Sequence, residues 1–525
     1  IGGIMSKRKN RNEIEIQNGE ESRPFNKEEA VKAFAKKHPN DPLPITRRQF
    51  VGQGTLAATS YVMMPTLLGS LVNTMNAQAA ALVCPTPASN SLPKYLMIDG
   101  SGGFALTGNV VPTDAGGQLL TSYDKMGLGT ASQLSVTSQF GVPFATAALG
   151  QGTATASATT SVSFVLRGML ATMSAATQAA TRGGLTVIQS DSDSNGNALN
   201  PVQAIAYAGS KGSRVITPVG TSSSSSGGNS TAYRVYGALK PLQISSFNSL
   251  NNALTPQGAF STLNGPSLVS LYSSILGLSQ SQMAKINGMS GSDQLSTLSQ
   301  CGMMSNRDNT APPAGTDPRL DPDFQAVYGL TAGSSASSSD TIRATVVASV
   351  LSGLSGPGVI QIGGCDYHDN GQASTDAKDL EIGREIGRAA EAAFRKGQVL
   401  MIQVTTDGGI SSGGARDYSS DNNQIGGGIL TLVVNPPSAG KSIQQIAVQK
   451  GFFTSAQVAT TSTKWGNANG NAGSTAAAMG LAQWIALASK VDPRVFNAAL
   501  FAQVNATAGP AVNAALTFDE SLFFV

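Results

Sequence analysis

The sequence predicts an α/β protein with a mostly parallel sheet and helices on both faces. Three observations support this fold class. An apolar, strand-like run at 94–99 leads into a glycine-rich turn. The run 358–364 is also strand-like, and a helix-like segment and then the apolar run 398–406 follow it. A strand, helix and strand of this length form a βαβ unit, which places two parallel strands in one sheet.

Periodicity and terminal signals predict the remaining elements in chain order. Apolar residues from Phe164 to Met173 recur at helical spacing, and Gly183-Gly184 is predicted to end that helical region. In the long helix after the second strand, Thr375 is the predicted N-cap and Gly397 the predicted stop. The other predicted elements are strands at 95–98, 185–190 and 427–435, interrupted helices within 241–300, and a helix at 341–354.

The N-terminal part of the chain has the pattern of an export signal. Arg47 and Arg48 form a twin-arginine pair, a moderately apolar run follows, and Ala77-Gln78-Ala79 fits a small-x-small cleavage site. We therefore expect the twin-arginine export machinery as a partner, a periplasmic or extracellular location, and no transmembrane anchor after cleavage. The predicted organisation is a charged extension at 1–45, the signal peptide at 46–79, an α/β domain at 80–440, and a C-terminal helical segment at 441–525 packing on it.

The charge balance argues against nucleic acid as a partner. The chain has 34 Lys and Arg and 31 Asp and Glu residues, and residues 1–79 hold 11 and 7 of them. The remainder has 23 basic and 24 acidic residues, a net charge of −1. A nucleic-acid-binding domain needs a basic face that this part of the chain does not have.

Acidic residues follow several predicted strands. Asp99 ends the first, Asp366 and His368 follow the strand at 358–364, and Asp407 ends the next, with Asp417 and Asp421 further along. Carboxyl ends of parallel strands meet at one edge of a sheet, so these side chains could converge there. Several carboxylates and one imidazole suit a divalent cation, Mg²⁺, Ca²⁺ or Mn²⁺. The alternative is that these acids cap helices and turns.

A second candidate cation site is the segment "DSDSNGN". Asp191, Asp193 and Asn195 occupy alternate positions, and Gly196 permits a sharp turn, as in the first half of a calcium loop. Val202 stands where such a loop has its bidentate glutamate. The alternative is an ordinary polar surface turn.

The segments "LMIDGSGGFALTGNVVP", "LTVIQSDSDSNGN" and "VIQIGGCDYHDNGQ", together with the leader, resemble an exported bacterial sulfatase-like family of unknown function in the alkaline phosphatase superfamily. Gly363, Gly364, Asp366, His368 and Gln372 match its main motif, and Tyr367 replaces a threonine. Asp407 and Arg416-Asp417 match a later segment, in which Tyr418 replaces a histidine. The resemblance implies an alkaline-phosphatase-like α/β fold.

Two functions remain open from the sequence. The resemblance implies hydrolysis of phosphate or sulfate esters with Asp366, His368, Asp407, Asp417 and Asp99 as metal ligands. The loss of histidines favours a catalytically degenerate scaffold that binds a partner, forms a homo-oligomer or joins a surface assembly. Cysteines do not decide between them: Cys84, Cys301 and Cys365 allow one disulfide, or three separate thiols.

Overall fold

The structure is a computed structural model, and it describes the central part of the chain with gaps. The described residues are 93–147, 162–187, 201–207, 210, 212, 218–222, 241–254, single positions within 266–277, 316–367, 372–406, 410–412, 418–421, 428–439, 449–460 and 484. The predicted leader and the calcium-like loop therefore lie outside the described residues.

An eight-stranded mixed sheet forms the centre of the described part. Seven strands run parallel, and one, β13, runs antiparallel to both of its neighbours. In spatial order the strands are β14 (Gln449–Lys450), β6 (Thr181–Val187), β13 (Gly428–Val434), β10 (Leu400–Thr406), β1 (Lys94–Gly100), β9 (Gly358–Ile362), β7 (Val219–Gly220) and β8 (Leu242–Gln243). The predicted mostly parallel sheet is confirmed.

Four small antiparallel pairs accompany the sheet. They are β2 (Ser122–Tyr123) with β3 (Gly129–Thr130), β4 (Ser135–Gln139) with β5 (Val142–Ala147), β11 (Ile410–Ser412) with β12 (Tyr418–Asp421), and β15 (Phe452–Phe453) with β16 (Ala459–Thr460). The β4–β5 turn has positive φ at Phe140 and Gly141, as a two-residue type I′ hairpin requires.

Seven α-helices are described, and serine or aspartate side chains cap four of them. Ser163, Ser174, Asp321 and Ser338 each accept a backbone N–H from the first turn that follows. The helices are α1 (Phe164–Thr172), α2 (Ala175–Ala179), α3 (Pro201–Tyr207), α4 (Phe247–Leu254), α5 (Pro322–Tyr328), α6 (Ser339–Leu351) and α7 (Gln372–Arg395), with short 3-10 turns at Leu106–Gly108, Asp124–Met126, Ala131–Gln133 and Pro437–Ala439.

Side chains alternate between the two faces of β1, and each face is covered by helix. Leu96 and Ile98 belong to the main hydrophobic cluster, to which α1, α6 and α7 contribute. Tyr95 and Met97 point to the other face, where α3 contacts β1 and buries Val202. The predicted helices on both faces are present among the described residues.

Two of the predicted helix ends were wrong: the end at Gly183-Gly184 and the N-cap at Thr375. Gly183 lies inside β6 and does not end a helix. A Cβ at this position would collide with Leu432 of β13 and Val142 of β5. Glycine is needed at this position for close approach within the sheet. Thr375 lies one turn inside α7, where its hydroxyl donates to the Gln372 carbonyl, so it is not the N-cap.

Among the described residues, no helix combines the length and the apolar character that a membrane span requires.

Candidate functional site

The carboxyl ends of β9, β1 and β10 form one edge of the sheet, here called the strand-end site. Gly100 at the end of β1 pairs with Ile362 at the end of β9 and with Thr406 at the end of β10. The residues after these three parallel strands therefore start from the same edge. Ligands bind at such edges in open α/β sheets. The sequence placed Asp99, Asp366 and Asp407 there on this reasoning.

Asp99 lies at the centre of this edge, in β1 between β9 and β10. Its side chain is fully buried, and its Oδ2 accepts a hydrogen bond of 3.5 Å from Gln361 Nε2. In the sheet register Gln361 and Thr405 flank Asp99 on the same face. The buried Thr405 hydroxyl has no hydrogen-bond partner within the described structure. Asp99 and Thr405 thus place oxygen atoms side by side at the end of the sheet.

The loop after β1 packs directly against the loop after β9. Ser101 N donates to the Ile362 carbonyl and Cys365 N donates to the Ser101 carbonyl, both at 3.1 Å. Gly102 has a φ of 106°, and a Cβ on it would lie 3.1 Å from Asp366 Cβ. Only glycine combines this backbone conformation with such a close approach. The exposed Asp366 is therefore held next to the loop that begins at Asp99.

Two tyrosines, Tyr367 and Tyr418, pack against each other beneath these loops. Tyr367 and Tyr418 are almost fully buried, and their ring centroids lie 5.8 Å apart. Tyr367 also meets Phe104 edge-to-face, with centroids 6.1 Å apart. The segment after β9 and the strand β12 therefore meet through their aromatic rings. The predicted approach of Asp366 to Asp417 stays a prediction, because Asp417 lies outside the described residues.

The Tyr367 hydroxyl enters a buried polar network that the sequence did not reveal. It donates to Asp379 Oδ1 at 2.8 Å, and Asn109 Nδ2 donates to Asp379 Oδ2 at 2.8 Å. Asn109 Oδ1 in turn accepts from Ser163 Oγ and Val165 N at the start of α1. Burial and the Asp379 carboxylate raise the pKa of Tyr367, so the phenol keeps the proton that it donates.

Asp379 lies in the second turn of α7 and is buried. The spacing of apolar residues along α7 indicates that Asp379 faces the core. Asp379 lies on the same helical stripe as Thr375, Ile382 and Ile386, all of which are buried. An acid on the apolar stripe of a helix needs hydrogen-bond partners in the core.

The thiol of Cys365 is buried and makes no disulfide. Burial raises the pKa of this thiol, and the nearby carboxylates of Asp379 and Asp99 raise it further. A thiol with a raised pKa is a poor nucleophile and a poor metal ligand. Cys365 is therefore a core residue, whereas Cys84 and Cys301 lie outside the described residues.

Most of the predicted metal ligands are not among the described residues. His368, Asp407 and Asp417 lie outside them, as do Asp191, Asp193 and Asn195 of the calcium-like loop. Within the described part of the chain, no group of three or more His, Cys, Asp and Glu side chains is placed to hold a metal ion. The metal site remains a prediction, and its described members are Asp99 and Asp366.

The fold defines an α/β protein with a mostly parallel mixed sheet and a polar edge at three strand ends. Comparisons of the chain with protein-family models, with curated proteins and with solved structures found no match in any of the three.

Proposed function

We propose that this chain is an exported protein of the alkaline-phosphatase type whose catalytic site is degenerate and which acts as a binding or surface-assembly scaffold. The observation that carries this proposal is the packing of Tyr367 against Tyr418. These are two of the positions at which the chain departs from the pattern that it resembles, which also has a Ser-His pair after the strand matching "LTVIQS". Both side chains are buried and in contact with each other.

The chemistry of the two tyrosines supports loss of catalysis. A threonine hydroxyl or a histidine imidazole at these positions could face a metal or a substrate. The Tyr367 hydroxyl is instead committed to Asp379, and its ring contributes apolar surface to the core. Burial and the Asp379 carboxylate raise the pKa of Tyr367, which disfavours the phenolate form. Tyr367 and Tyr418 thus stabilise the loops and do not supply a catalytic group to the strand-end site.

The test combines metal content, hydrolysis and particle size of the purified full chain. We expect hydrolysis of generic phosphate and sulfate esters, with Mg²⁺, Ca²⁺ or Mn²⁺ added, to be the same in the wild type and in Asp99→Asn. We also expect light scattering to show a homo-oligomer or a larger ordered particle. Stoichiometric metal and turnover that both disappear in Asp99→Asn and in His368→Ala would contradict the scaffold.

The second candidate function is metal-dependent hydrolysis of phosphate or sulfate esters. It is favoured by the complete burial of Asp99 at the end of the central strand, next to the Thr405 hydroxyl, for which the described residues offer no hydrogen-bond partner. A buried carboxylate is costly unless hydrogen bonds or a cation compensate it. In this alternative Asp99 and Asp366 would hold a divalent cation with His368, Asp407 and Asp417. The cation would polarise the ester oxygen.

Export is proposed from the leader and is tested separately. Arg47→Lys with Arg48→Lys keeps the positive charge but removes the twin-arginine pair. We expect the wild-type chain in the periplasmic or extracellular fraction and the double variant in the cytoplasmic fraction. Equal export of both chains would exclude this route.

A further inference from the structure

One face of the sheet becomes polar at the carboxyl ends of its central strands. Asp99 of β1, Gln361 of β9 and Thr405 of β10 form one row in the register, on the face that α3 covers. On the opposite face, the neighbouring residues Ile98 and Val404 belong to the main hydrophobic cluster. Parallel strands that are covered on both faces are normally apolar on both. The packing of the sheet therefore does not explain this polar row.

Asp99 and Thr405 are enclosed within the protein. Asp99 has no exposed surface, and Thr405 is 2% exposed. Burial of a carboxylate is costly unless hydrogen bonds or a cation compensate its charge. The Thr405 hydroxyl has no hydrogen-bond partner within the described part of the chain. Since most buried hydroxyls have a partner, this one indicates a ligand at the row.

The register places the two side chains at a distance that one ion can bridge. Asp99 and Thr405 are paired positions on adjacent strands, and such strands lie about 4.8 Å apart. A calcium ion binds each of its oxygen ligands at about 2.3–2.6 Å. Gln361 Nε2 donates to Asp99 Oδ2 at 3.5 Å, and Gln361 N donates to Thr221 Oγ1 at 2.8 Å. Gln361 therefore helps to position the carboxylate beside Thr405.

The donor atoms of Asp99 and Thr405 favour one kind of cation. A carboxylate and a hydroxyl are oxygen donors, which suit Mg²⁺, Ca²⁺ and Mn²⁺ better than zinc. Mg²⁺ loses its water reluctantly and usually keeps several water ligands, whereas Ca²⁺ accepts carboxylate and backbone carbonyl oxygens in flexible geometry. The burial of both residues leaves little room for retained water. The row therefore favours Ca²⁺.

From these features we propose that Thr405 is a ligand of a structural calcium ion between the ends of β1 and β10. The Thr405 hydroxyl and the Asp99 carboxylate bind the ion from adjacent strands. The ion compensates the buried charge of Asp99 and holds the two strand ends together. The inference goes beyond both functions considered above, because it assigns the ion to stability and requires neither hydrolysis nor assembly.

The test measures the melting temperature of the purified full chain in EDTA and in a series of calcium concentrations. We expect Ca²⁺ to raise the melting temperature, because a ligand that binds only the folded state stabilises it. Mg²⁺ at the same concentrations should raise it less. Thr405→Val removes the hydroxyl at nearly constant volume and should weaken the apparent calcium affinity about tenfold. Thr405→Ser keeps a hydroxyl and should keep the calcium response.

Thr431→Val is the matched control for loss of a buried hydroxyl. Thr431 of β13 is 1% exposed, lies on the same face, and its hydroxyl also has no hydrogen-bond partner among the described residues. Its paired neighbour on β10 is Gln403, which carries no charge. We therefore expect Thr431→Val to respond to Ca²⁺ as the wild type does.

Two results would overturn the proposal. One is a wild-type melting temperature that Ca²⁺ does not change. The other is an equal calcium response in Thr405→Val and Thr431→Val, which would mean that water serves Thr405 or that calcium binds elsewhere, such as at 191–197. Neither result bears on the scaffold function, because ester hydrolysis and particle size test that function.

Discussion

A single buried carboxylate, Asp379, connects three parts of the molecule. It joins the loop after β9 through Tyr367 and the start of α1 through Asn109. Each partner donates to a different carboxylate oxygen, so an amide at position 379 cannot serve both in the same way. The network therefore depends on which residue is the acid and which is the amide.

Exchanging the acid and the amide tests this network. We expect Asp379→Asn and Asn109→Asp each to lower the free energy of unfolding by about 1–3 kcal/mol, because each leaves buried groups mismatched. The double exchange restores one donor for each acceptor. It also places a carboxylate at the N-terminus of α1, where the helix dipole favours it. Urea unfolding should show the double variant to be more stable than either single one, and additive losses would contradict the network.

The pKa values of two buried glutamates of α7 are shifted in opposite directions. Burial would raise the pKa of Glu391, but hydrogen bonds from Thr177, the Ser174 backbone and Arg395 outweigh it and lower the pKa. Burial raises the pKa of Glu385, and the nearby Arg343 charge offsets this only in part. The two carboxyl groups therefore contribute to stability in different pH ranges.

The pH dependence of unfolding distinguishes them. The stability from Glu391 is present above its unfolded pKa of about 4.3 and is lost as the pH falls through the lower folded value. The loss caused by Glu391→Gln should therefore be larger at pH 7 than at pH 3. The stability from Glu385 is complete below its unfolded pKa and declines as the pH rises through the higher folded value. The loss caused by Glu385→Gln should thus be larger at pH 4 than at pH 7, and parallel profiles would contradict this assignment.

At the scale of elements, α1 and α7 pack with their backbones in contact. A Cβ on Gly168 of α1 would lie 2.5 Å from Arg384 N and Leu380 O of α7. A Cβ on Gly383 would collide with the Val165 carbonyl, and one on Gly387 with the Thr172 hydroxyl. Glycines four residues apart permit this approach, which brings the Asp379 network within reach of α1.

Gly383→Ala should therefore destabilise the protein, against the usual preference for alanine in a helix. We expect the free energy of unfolding to fall by about 1–3 kcal/mol, because the helices must separate. Gly277 is a single described position of helical conformation within 266–277, outside the seven helices, and a Cβ there meets no described atom within 4 Å. Gly277→Ala is the matched control and should be neutral or stabilising by up to about 1 kcal/mol. Equal effects of the two substitutions in urea unfolding would exclude close packing as the cause.

At the scale of the whole molecule, Trp484 contacts the residue that directly precedes the central strand. The indole of Trp484 is buried, and its Nε1 donates to the Pro93 carbonyl at 2.8 Å, directly before β1. Pro93 and Trp484 are 391 residues apart. We expect this contact to couple the burial of Trp484 to the stability of the sheet.

Fluorescence can measure this coupling because the chain has two tryptophans. Trp465→Phe leaves Trp484 as the single emitter. We expect a blue-shifted emission that moves to the red at the same urea concentration at which the circular dichroism of the helices is lost. An earlier fluorescence transition would mean that the segment around Trp484 unfolds separately.

The elements that the sequence predicted best have strong local signals. The strands β1, β9, β10 and β13 are apolar runs. The sequence of α7 has helical spacing, and Gly397, with a φ of 63°, follows the end of this helix. Gly183 was misjudged because a glycine in a strand and a glycine after a helix look the same in sequence. The contact with Leu432 that requires glycine comes from β13, almost 250 residues later.

The sequence by itself determined the α/β class and the positions of the main strands along the chain, because apolar periodicity and turn residues act over short distances. It also placed Asp99 and Asp366 at strand ends. Only the tertiary structure decided that Tyr367, Tyr418 and Asp379 meet in the core, and that Thr405 lies beside Asp99. These contacts join residues that are distant along the chain, and their energies depend on packing that periodicity does not encode.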